Sequence, residues 1–406
     1  MDLPRLCHDN ALWKALQQEA LGGNVNDCIT CGVCTSRCTW YDGAGGPNPR
    51  LMVRLAQMGL DNVLAGSKML WDCMVCGHCT VDCPAGIAMD KVVRKARNLP
   101  QAAAIMPEDI RTGIHNRIEI GDVNGFTRED FFETMDWLND ELEDELGDPL
   151  AKIPVDRPNV RFLYLPNPRE LGMNVLQLMA MARLFYASGV SWTMSSRHTD
   201  VTNWGYFTGN DALLRNMVRR KVEAAEALNV ESLVISECGH AYIVYKKMLE
   251  ELMGRRPRFR VMSMPELLVE LADDGLLGFD PDRCPETIAY HDPCNIGRKA
   301  GQYEAPRRLL TYVCHNPVEL APNRKHAICC GGGGGLLQDS SSKPRRMIAG
   351  KSKAQQIRNA GVAHLATACL SCHRQLGELA KHYQLGVQVH TVAALAAQSL
   401  VSDAPG

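Results

Sequence analysis

No stretch of this chain is apolar for long enough to cross a bilayer. The richest run, MNVLQLMAMARLFYASGV at 173–190, is interrupted by Gln177 and Arg183 and reads as an amphipathic core helix, short of the roughly 20 apolar residues a membrane span needs. The opening MDLPRLCHDNALWKALQQEALGG has acidic residues, no apolar h-region and no twin arginine, so it is not expected to be an export signal. A basic surplus is missing too: the formal net charge of −2 argues against a nucleic-acid binder. Residues 101–237 contain no cysteine. In a soluble chain kept on the reducing side of a membrane, thiols are expected as metal ligands and not as disulfides.

The 17 cysteines that are present are clustered, nine of them within residues 1–100. The 406 residues allow two or three domains at about 100–200 residues each. Residues 1–100 form one unit. Residues 101–159 are acidic around Asp136 to Asp148 and end in prolines, which predicts an exposed helical connector and linker. From residue 160 short apolar runs alternate with helical periods: VRFLYLP (160–166), SWTMSS (191–196), SLVISEC (232–238) and RVMSM (260–264), then TIAYHDPC (287–294), PVEL (317–320), AHLATACLSC (363–372) and VQVHTV (387–392). Strands alternating with helices imply parallel sheets wound by crossovers. Gly205 precedes Gly331 by 126 residues and Cys238 precedes Cys369 by 131, which suggests a duplication with halves at 160–275 and 276–406. The expected fold is α+β / α/β: a helical two-cluster ferredoxin-like domain followed by a duplicated parallel α/β domain.

CITCGVCTSRC places Cys28, Cys31, Cys34 and Cys38, and CMVCGHCTVDCP repeats the spacing at Cys73, Cys76, Cys79 and Cys83. In two-cluster ferredoxins three closely spaced thiolates hold one [4Fe–4S] cluster and the fourth reaches across to the other. By that logic Cys28, Cys31, Cys34 and Cys83 hold one cubane cluster, and Cys73, Cys76, Cys79 and Cys38 the second. Structural zinc sites use two separated C-x2-C pairs, which leaves the third cysteine of each run without a role. Thr39 stands where the first motif would carry a proline. The helix-like NPRLMVRLAQMGLDNVLAG between the motifs makes this larger than a compact bacterial ferredoxin. Cys7 stands alone and reads as a plain thiol.

Cys294, Cys329, Cys330, Cys369 and Cys372 form a second pattern, C-x34-CC-x38-C-x2-C, with five glycines after the adjacent pair. Ligands gather beyond the carboxyl ends of parallel strands, so the five thiols should converge on one rim. Five thiolates exceed the needs of a cubane cluster and leave two possibilities, a non-cubane centre or a cluster with one cysteine kept free. Gly331, Gly332 and Gly333 would let bare backbone N–H groups approach the cluster sulfurs. A phosphate loop would need G-K-[ST] after the glycines, where Leu336 and Leu337 stand. His240, His291 and His373 flank these cysteines and could deliver protons.

The pattern resembles the cysteine-rich CCG domain of heterodisulfide reductases. The N-terminal part, with NPR at 48–50, is similar to their ferredoxin subunit. Fused in one chain, the two resemble the D-type subunit of membrane-bound heterodisulfide reductase and the DsrK, TmcB and HmcF subunits of bacterial transmembrane redox complexes. The resemblance implies that Cys294, Cys329, Cys330, Cys369 and Cys372 hold a non-cubane [4Fe–4S] centre acting on a disulfide, trisulfide or thiol substrate. It implies an integral membrane haem-b partner, cytochrome c-containing subunits, and a peripheral place on the cytoplasmic face of the inner membrane. In the first half Asn203 and Trp204 replace the cysteine pair and Ala241 the last cysteine, so one such centre is expected. Cys238 survives, either as a relic or as a further ligand or substrate-contacting thiol. An iron–sulfur electron-transfer subunit of a glycolate or lactate oxidase-type flavoenzyme shares the layout and is the alternative.

Overall fold

In the computed structural model residues 11–17, 25–41, 46–197, 199 and 202–402 are described; Cys7 lies outside them. The chain from Val160 onward builds two four-stranded, all-parallel sheets. The first holds β1 (Phe162–Leu165), β2 (Trp192–Thr193), β3 (Ser232–Ile235) and β4 (Arg260–Ser263). The second holds β5 (Thr287–Tyr290), β6 (Asn316–Glu319), β7 (His364–Thr367) and β8 (Gln388–Thr391). Strand order is β2-β1-β3-β4 in one sheet and β6-β5-β7-β8 in the other, the same permutation twice. Phe162 pairs with Trp192 and Ser232, Ser232 with Arg260, and His364 with Gln388. The β1 run FLYL and the β3 run SLVI are buried throughout, as strands covered by helices on both faces require.

The two halves pack through helices, Val175–Ser188 against Val392–Gln398 and Met264–Asp273 against Glu304–Val313. A buried carboxylate also spans them. Glu237 Oε1 accepts the Val392 N–H at 3.0 Å, Oε2 accepts Gln177 Nε2 at 2.5 Å, and the Glu237 carbonyl accepts the Leu370 N–H at 2.8 Å. Burial pushes the Glu237 pKa well above the carboxylate range.

The N-terminal cysteine-rich part is helical. Pro49–Gln57 begins with Pro49 in its first turn and with the Asn48 side chain accepting the Leu51 N–H at 3.0 Å. The connector is helical as its pattern predicts, over Glu108–Glu119 and Arg128–Leu146. It is not simply exposed: Phe131, Met135, Leu138 and Leu142 recur at helical spacing and are buried in the main core, while the acidic face stays in water. SWTMSS yields only a two-residue strand, and AHLATACLSC stops being strand at Thr367 because Cys369 is the N-cap of the helix Leu370–His382.

Docking of the ferredoxin-like part centres on Arg97, 1% exposed. All five of its N–H donors are used: on Leu70 O (2.9 and 2.5 Å), Cys73 O (2.7 Å), Phe207 O (2.6 Å) and Gly334 O (2.9 Å). The carbonyls come from the N-terminal part, the first half and the second half. The glycine run makes the approach possible. A Cβ on Gly333 would lie 2.8 Å from Met74 O, and one on Gly334 would collide with the Cys73 carbonyl.

Gly334 (φ +65°) and Gly361 (φ +63°) share a left-handed backbone, but Gly361 has open space where a Cβ would go. Gly361→Ala should therefore cost only the conformational penalty, about 1–2 kcal/mol. Gly334→Ala should cost at least about 2 kcal/mol more, since the docked backbones must separate. Urea unfolding of the two variants checks this; equal losses would remove the docking role from the glycine run.

Candidate iron–sulfur centres

Each N-terminal cysteine run is wound tightly by two left-handed residues, Thr30 (φ 56°) and Gly32 (φ 86°) in the first, Val75 (φ 52°) and Gly77 (φ 72°) in the second. A β-branched residue at positive φ is strained. In return the backbone N–H groups of Thr30 and Val75 point at Cys28 Sγ and Cys73 Sγ, both at 3.4 Å. The short helices that follow, Val33–Ser36 and His78–Val81, pack together, joined by Arg37 Nε to Asp82 Oδ2 at 2.6 Å. The crossing of the fourth cysteine follows from this packing. One pocket is lined by Cys28, Cys31, Cys34 and Cys83, another by Cys38, Cys73, Cys76 and Cys79. The first opens to solvent, with Cys31 exposed and Ile29 71% exposed. The second faces inward, and burial pushes the Cys38 thiol up to about 12.

The remaining cysteines meet beyond the carboxyl ends of β5 and β7. Cys294 follows β5, Cys369 and Cys372 follow β7, and the Cys329–Cys330 loop reaches the same place from β6. Cys330 Sγ lies 3.4 Å from Cys372 Sγ. The thiols of Cys294, Cys330 and Cys76 crowd around Cys329, and that of Cys369 lies beside Cys372. The thiol set is thus continuous with the second ferredoxin-like pocket through Cys76, and Met74 Sδ sits 3.7 Å from Cys329 Sγ. Neighbouring thiols pull Cys330 well below the ordinary cysteine range, Cys76 to about 6 and Cys369 to about 7. Burial opposes each.

Cations bracket this junction. Arg298 Nη1 donates to Cys76 O at 2.9 Å, and Lys299 Nζ reaches Val75 O at 2.5 Å, Tyr206 OH at 3.1 Å and Asp90 Oδ2 at 3.2 Å. Lys353 is buried near Cys329, Cys330 and Cys372, its Nζ on Gln356 Oε1 at 2.5 Å, and burial lowers it to about 8. Of the glycines, Gly331 sends its N–H toward Cys329 Sγ at 3.5 Å, whereas Gly332 packs on Gln375 and Gly333 on Met74. The run serves the docked ferredoxin-like loop as much as the thiols.

The three histidines part company. His291 is buried with its ligand atom, Cys330 Sγ and Cys372 Sγ all within 4.8 Å of one another, and neither of its ring nitrogens has a hydrogen-bond partner. His240 lies against Tyr206 and Phe207, and burial drops it to about 3, so it is neutral at pH 7. His373 turns away, its Nε2 on Val389 O at 3.1 Å. Cys238 is buried as the N-cap of Gly239–Ile243, and the Glu237 carbonyl before it takes the N–H of Leu370 next to Cys369. Sequence reading overlooked Arg97, Arg169, Glu237, Lys299 and Lys353. A charge in the apolar run SLVISE was the available signal for Glu237, and the repeat offset the one for Arg169.

The donor sets fit iron–sulfur clusters. So many closely grouped, buried thiols cannot ionise together without a positive partner, and soft thiolates select iron–sulfur or zinc. The comparisons agree. Residues 24–87 match the 4Fe-4S dicluster domain family and residues 288–377 the cysteine-rich (CCG) domain family. The chain is 25% identical to a probable membrane-anchored ferredoxin of Chromohalobacter salexigens, over 74% of this chain and 49% of that one. It is 23% identical to an Hdr-like menaquinol oxidoreductase iron-sulfur subunit of Archaeoglobus profundus, over 71% and 63%. It is 24% identical to the D-type subunit of the dihydromethanophenazine:CoB–CoM heterodisulfide reductase of Methanosarcina barkeri, over 93% and 94%. The chain thus spans 49% and 63% of the first two relatives and nearly all of the third.

Three four-iron clusters correspond to about twelve iron and twelve acid-labile sulfide per chain. Anaerobically purified protein should approach that ratio, and Cys330→Ala should lose about four of each while the ferredoxin-like sites stay filled. Zinc in place of iron, or an unchanged iron count in Cys330→Ala, would contradict the assignment.

Proposed function

We propose that this iron–sulfur protein, a 4Fe–4S dicluster domain joined to a CCG domain, is the electron-transfer and catalytic subunit of a heterodisulfide reductase-like membrane complex. Cys28, Cys31, Cys34 and Cys83 hold one cubane cluster; Cys38, Cys73, Cys76 and Cys79 hold the other. Cys294, Cys329, Cys330, Cys369 and Cys372 hold a non-cubane [4Fe–4S] centre. The observation that carries the reading is the contact of Cys76 with Cys329, which brings a ferredoxin-type ligand set against the CCG thiols. When bound, the clusters supply one-electron carriers and a centre for reductive cleavage of a disulfide or trisulfide, or the reverse on thiols.

The chain's own residues set the conditions. Exposed Cys31 and Ile29 present the first ligand set to an electron partner, while Met74, Leu336 and Trp40 pack about the junction and exclude water from it. Arg298 and Lys299 hold the Cys73–Cys79 loop in register with Cys329. His291, held neutral by burial, can donate a ring N–H to sulfur at Cys330. No helix among the described residues is long and apolar enough to cross a membrane. The proposed partners are an integral haem-b or quinone-reactive subunit and cytochrome c-containing subunits, and the proposed place of this chain is peripheral, on the cytoplasmic face. The relatives' names, menaquinol-linked and membrane-anchored, support that setting.

EPR of the oxidised chain should show a signal that changes on adding a thiol, and Cys330→Ala should abolish both the change and thiol–disulfide turnover. A signal indifferent to every thiol, with turnover intact in Cys330→Ala, would sink the catalytic role.

A further inference from the structure

Away from the thiols, a cleft opens where the connector meets the first half. One lobe, about 310 Å³, lies between the end of Glu108–Glu119, the start of Arg128–Leu146 and the segment that follows β2. A second lobe, about 640 Å³, adjoins it across Ser195, Arg197 and Arg220, which line both. No cysteine lines either lobe.

The lobes differ in charge. Four arginines line the smaller one, Arg117, Arg128, Arg197 and Arg220, against one carboxylate, Asp122, which leaves three positive charges. Asp122 is already engaged: Oδ1 accepts the Asn124 N–H at 2.7 Å and the Phe126 N–H at 3.5 Å, and Oδ2 accepts the Thr199 hydroxyl at 3.1 Å. The larger lobe sets Arg197 and Arg220 against Asp156 and Glu223, so it is balanced, and its wall includes Ala224 and Leu228.

Arg117 is the most constrained of the four. It is 4% exposed, its Nη1 donates to Gly121 O at 2.6 Å, and its Nε is buried without a hydrogen-bond partner. Burial and the neighbouring Arg220 both push its pKa below the ordinary arginine range. Two guanidiniums that repel each other, one of them buried with a donor unused, are costly unless an anion joins them. Three surplus charges exceed what one carboxylate neutralises. They suit a phosphate ester, which carries close to two negative charges and accepts the guanidinium fork bidentately.

We propose that this cleft binds a phosphate ester, its phosphate held in the smaller lobe by Arg117, Arg197 and Arg220 and its uncharged part extending past Ser195 over Ala224 and Leu228 in the larger. No cluster ligand takes part, so the proposal stands apart from the thiol–disulfide reading above. Arg117 belongs to the connector and Arg220 to the helix Asp211–Ala227, so an occupied cleft ties the connector to the first half.

Calorimetric titration of the iron-loaded full chain with glycerol 3-phosphate and with ADP tests the site, with glycerol and adenosine as uncharged controls. Flotation with phosphatidic acid vesicles determines whether the ester is lipid-borne. The wild type should bind a phosphorylated probe and neither control, and its melting temperature should rise on binding. Arg220→Gln removes an exposed side chain and should weaken binding about tenfold or more, the scale of one charge-assisted contact. Arg219→Gln, the next residue on the same helix, which pairs with Glu223 at 3.7 Å and lines neither lobe, should leave binding unchanged. Arg117→Gln should lose binding as well, with iron content and melting temperature showing that it is folded; if it does not fold, Arg220→Gln decides. Vesicle binding that Arg220→Gln abolishes supports the site and places its ester in a lipid headgroup. Failure of every phosphorylated probe, soluble or vesicular, overturns the proposal, and so does equal affinity in Arg220→Gln. Succinate binding as tightly as glycerol 3-phosphate also overturns it, leaving a general anion site.

Discussion

Everything about the junction depends on one buried guanidinium. Arg97 satisfies main-chain carbonyls of Leu70 and Cys73 in the N-terminal part, Phe207 in the first half and Gly334 in the second. Arg97 also lies over the Trp71 ring at 4.7 Å. An arginine this deep is tolerable only when every donor is used, because an unmet charged donor in the interior costs several kcal/mol. The requirement works in both directions. The carbonyls must converge for the arginine to be buried, and once it is buried they cannot separate without stranding it. The spacing of the second ferredoxin-like motif from the CCG thiols is consequently a property of the fold, held from three sides, and not of a mobile interface.

The duplicated halves use this interface unequally. In the first half the segment matching the cysteine-glycine loop is a buried helix, Thr202–Thr208, whose Tyr206 carbonyl accepts Arg94 Nε at 2.7 Å. A Cβ on Gly209 would strike the Arg94 carbonyl. In the second half the corresponding loop grips Cys73 and Met74 with bare backbone. Both halves therefore clasp the N-terminal part at equivalent places, one through the helix Met89–Arg97 and the other through the ligand loop itself. The first half keeps the clasp with no cysteine pair at that place, which separates the structural duty of the segment from any ligand duty.

Much of this was legible in the sequence because it rests on local chemistry. The two cysteine runs, the alternation of strand and helix and the absence of a second cysteine pair all follow from spacing along the chain. The strand limits were blurred where a cap decides them, as at Cys369, since an N-cap residue has extended backbone and reads like strand. The acidic connector was misjudged as exposed because its apolar stripe is only one residue wide per turn, and charge dominates such a pattern. Arg97, Lys299 and Lys353 were invisible for a different reason. Their roles depend on carbonyls and thiols from distant segments, and a lone basic residue on a helix gives no sign of which way it points. The glycines were read as a floor for a cluster, and that explains Gly331 better than Gly333 or Gly334, whose neighbours belong to another domain.

The distribution of charge completes the picture. The chain is nearly neutral overall, yet several cations stand at the thiols: Lys353 near Cys330, Lys299 and Arg298 at Cys76, Arg169 near Cys369. Acids are solvated, as on the outer face of Arg128–Leu146, or tied down, as Asp292 is by Arg307 at 2.8 Å and Asp90 by Lys299 at 3.2 Å. In a low-dielectric pocket thiolate charge must be balanced locally, because solvent cannot do it. Buried lysine and arginine side chains balance it without competing for iron, since protonated nitrogens are donors only. Among the described residues the histidine grouped with these thiols is His291, and burial keeps it in the neutral form. A site built this way stabilises the charged ligand set while leaving the sulfur atoms as its acceptors.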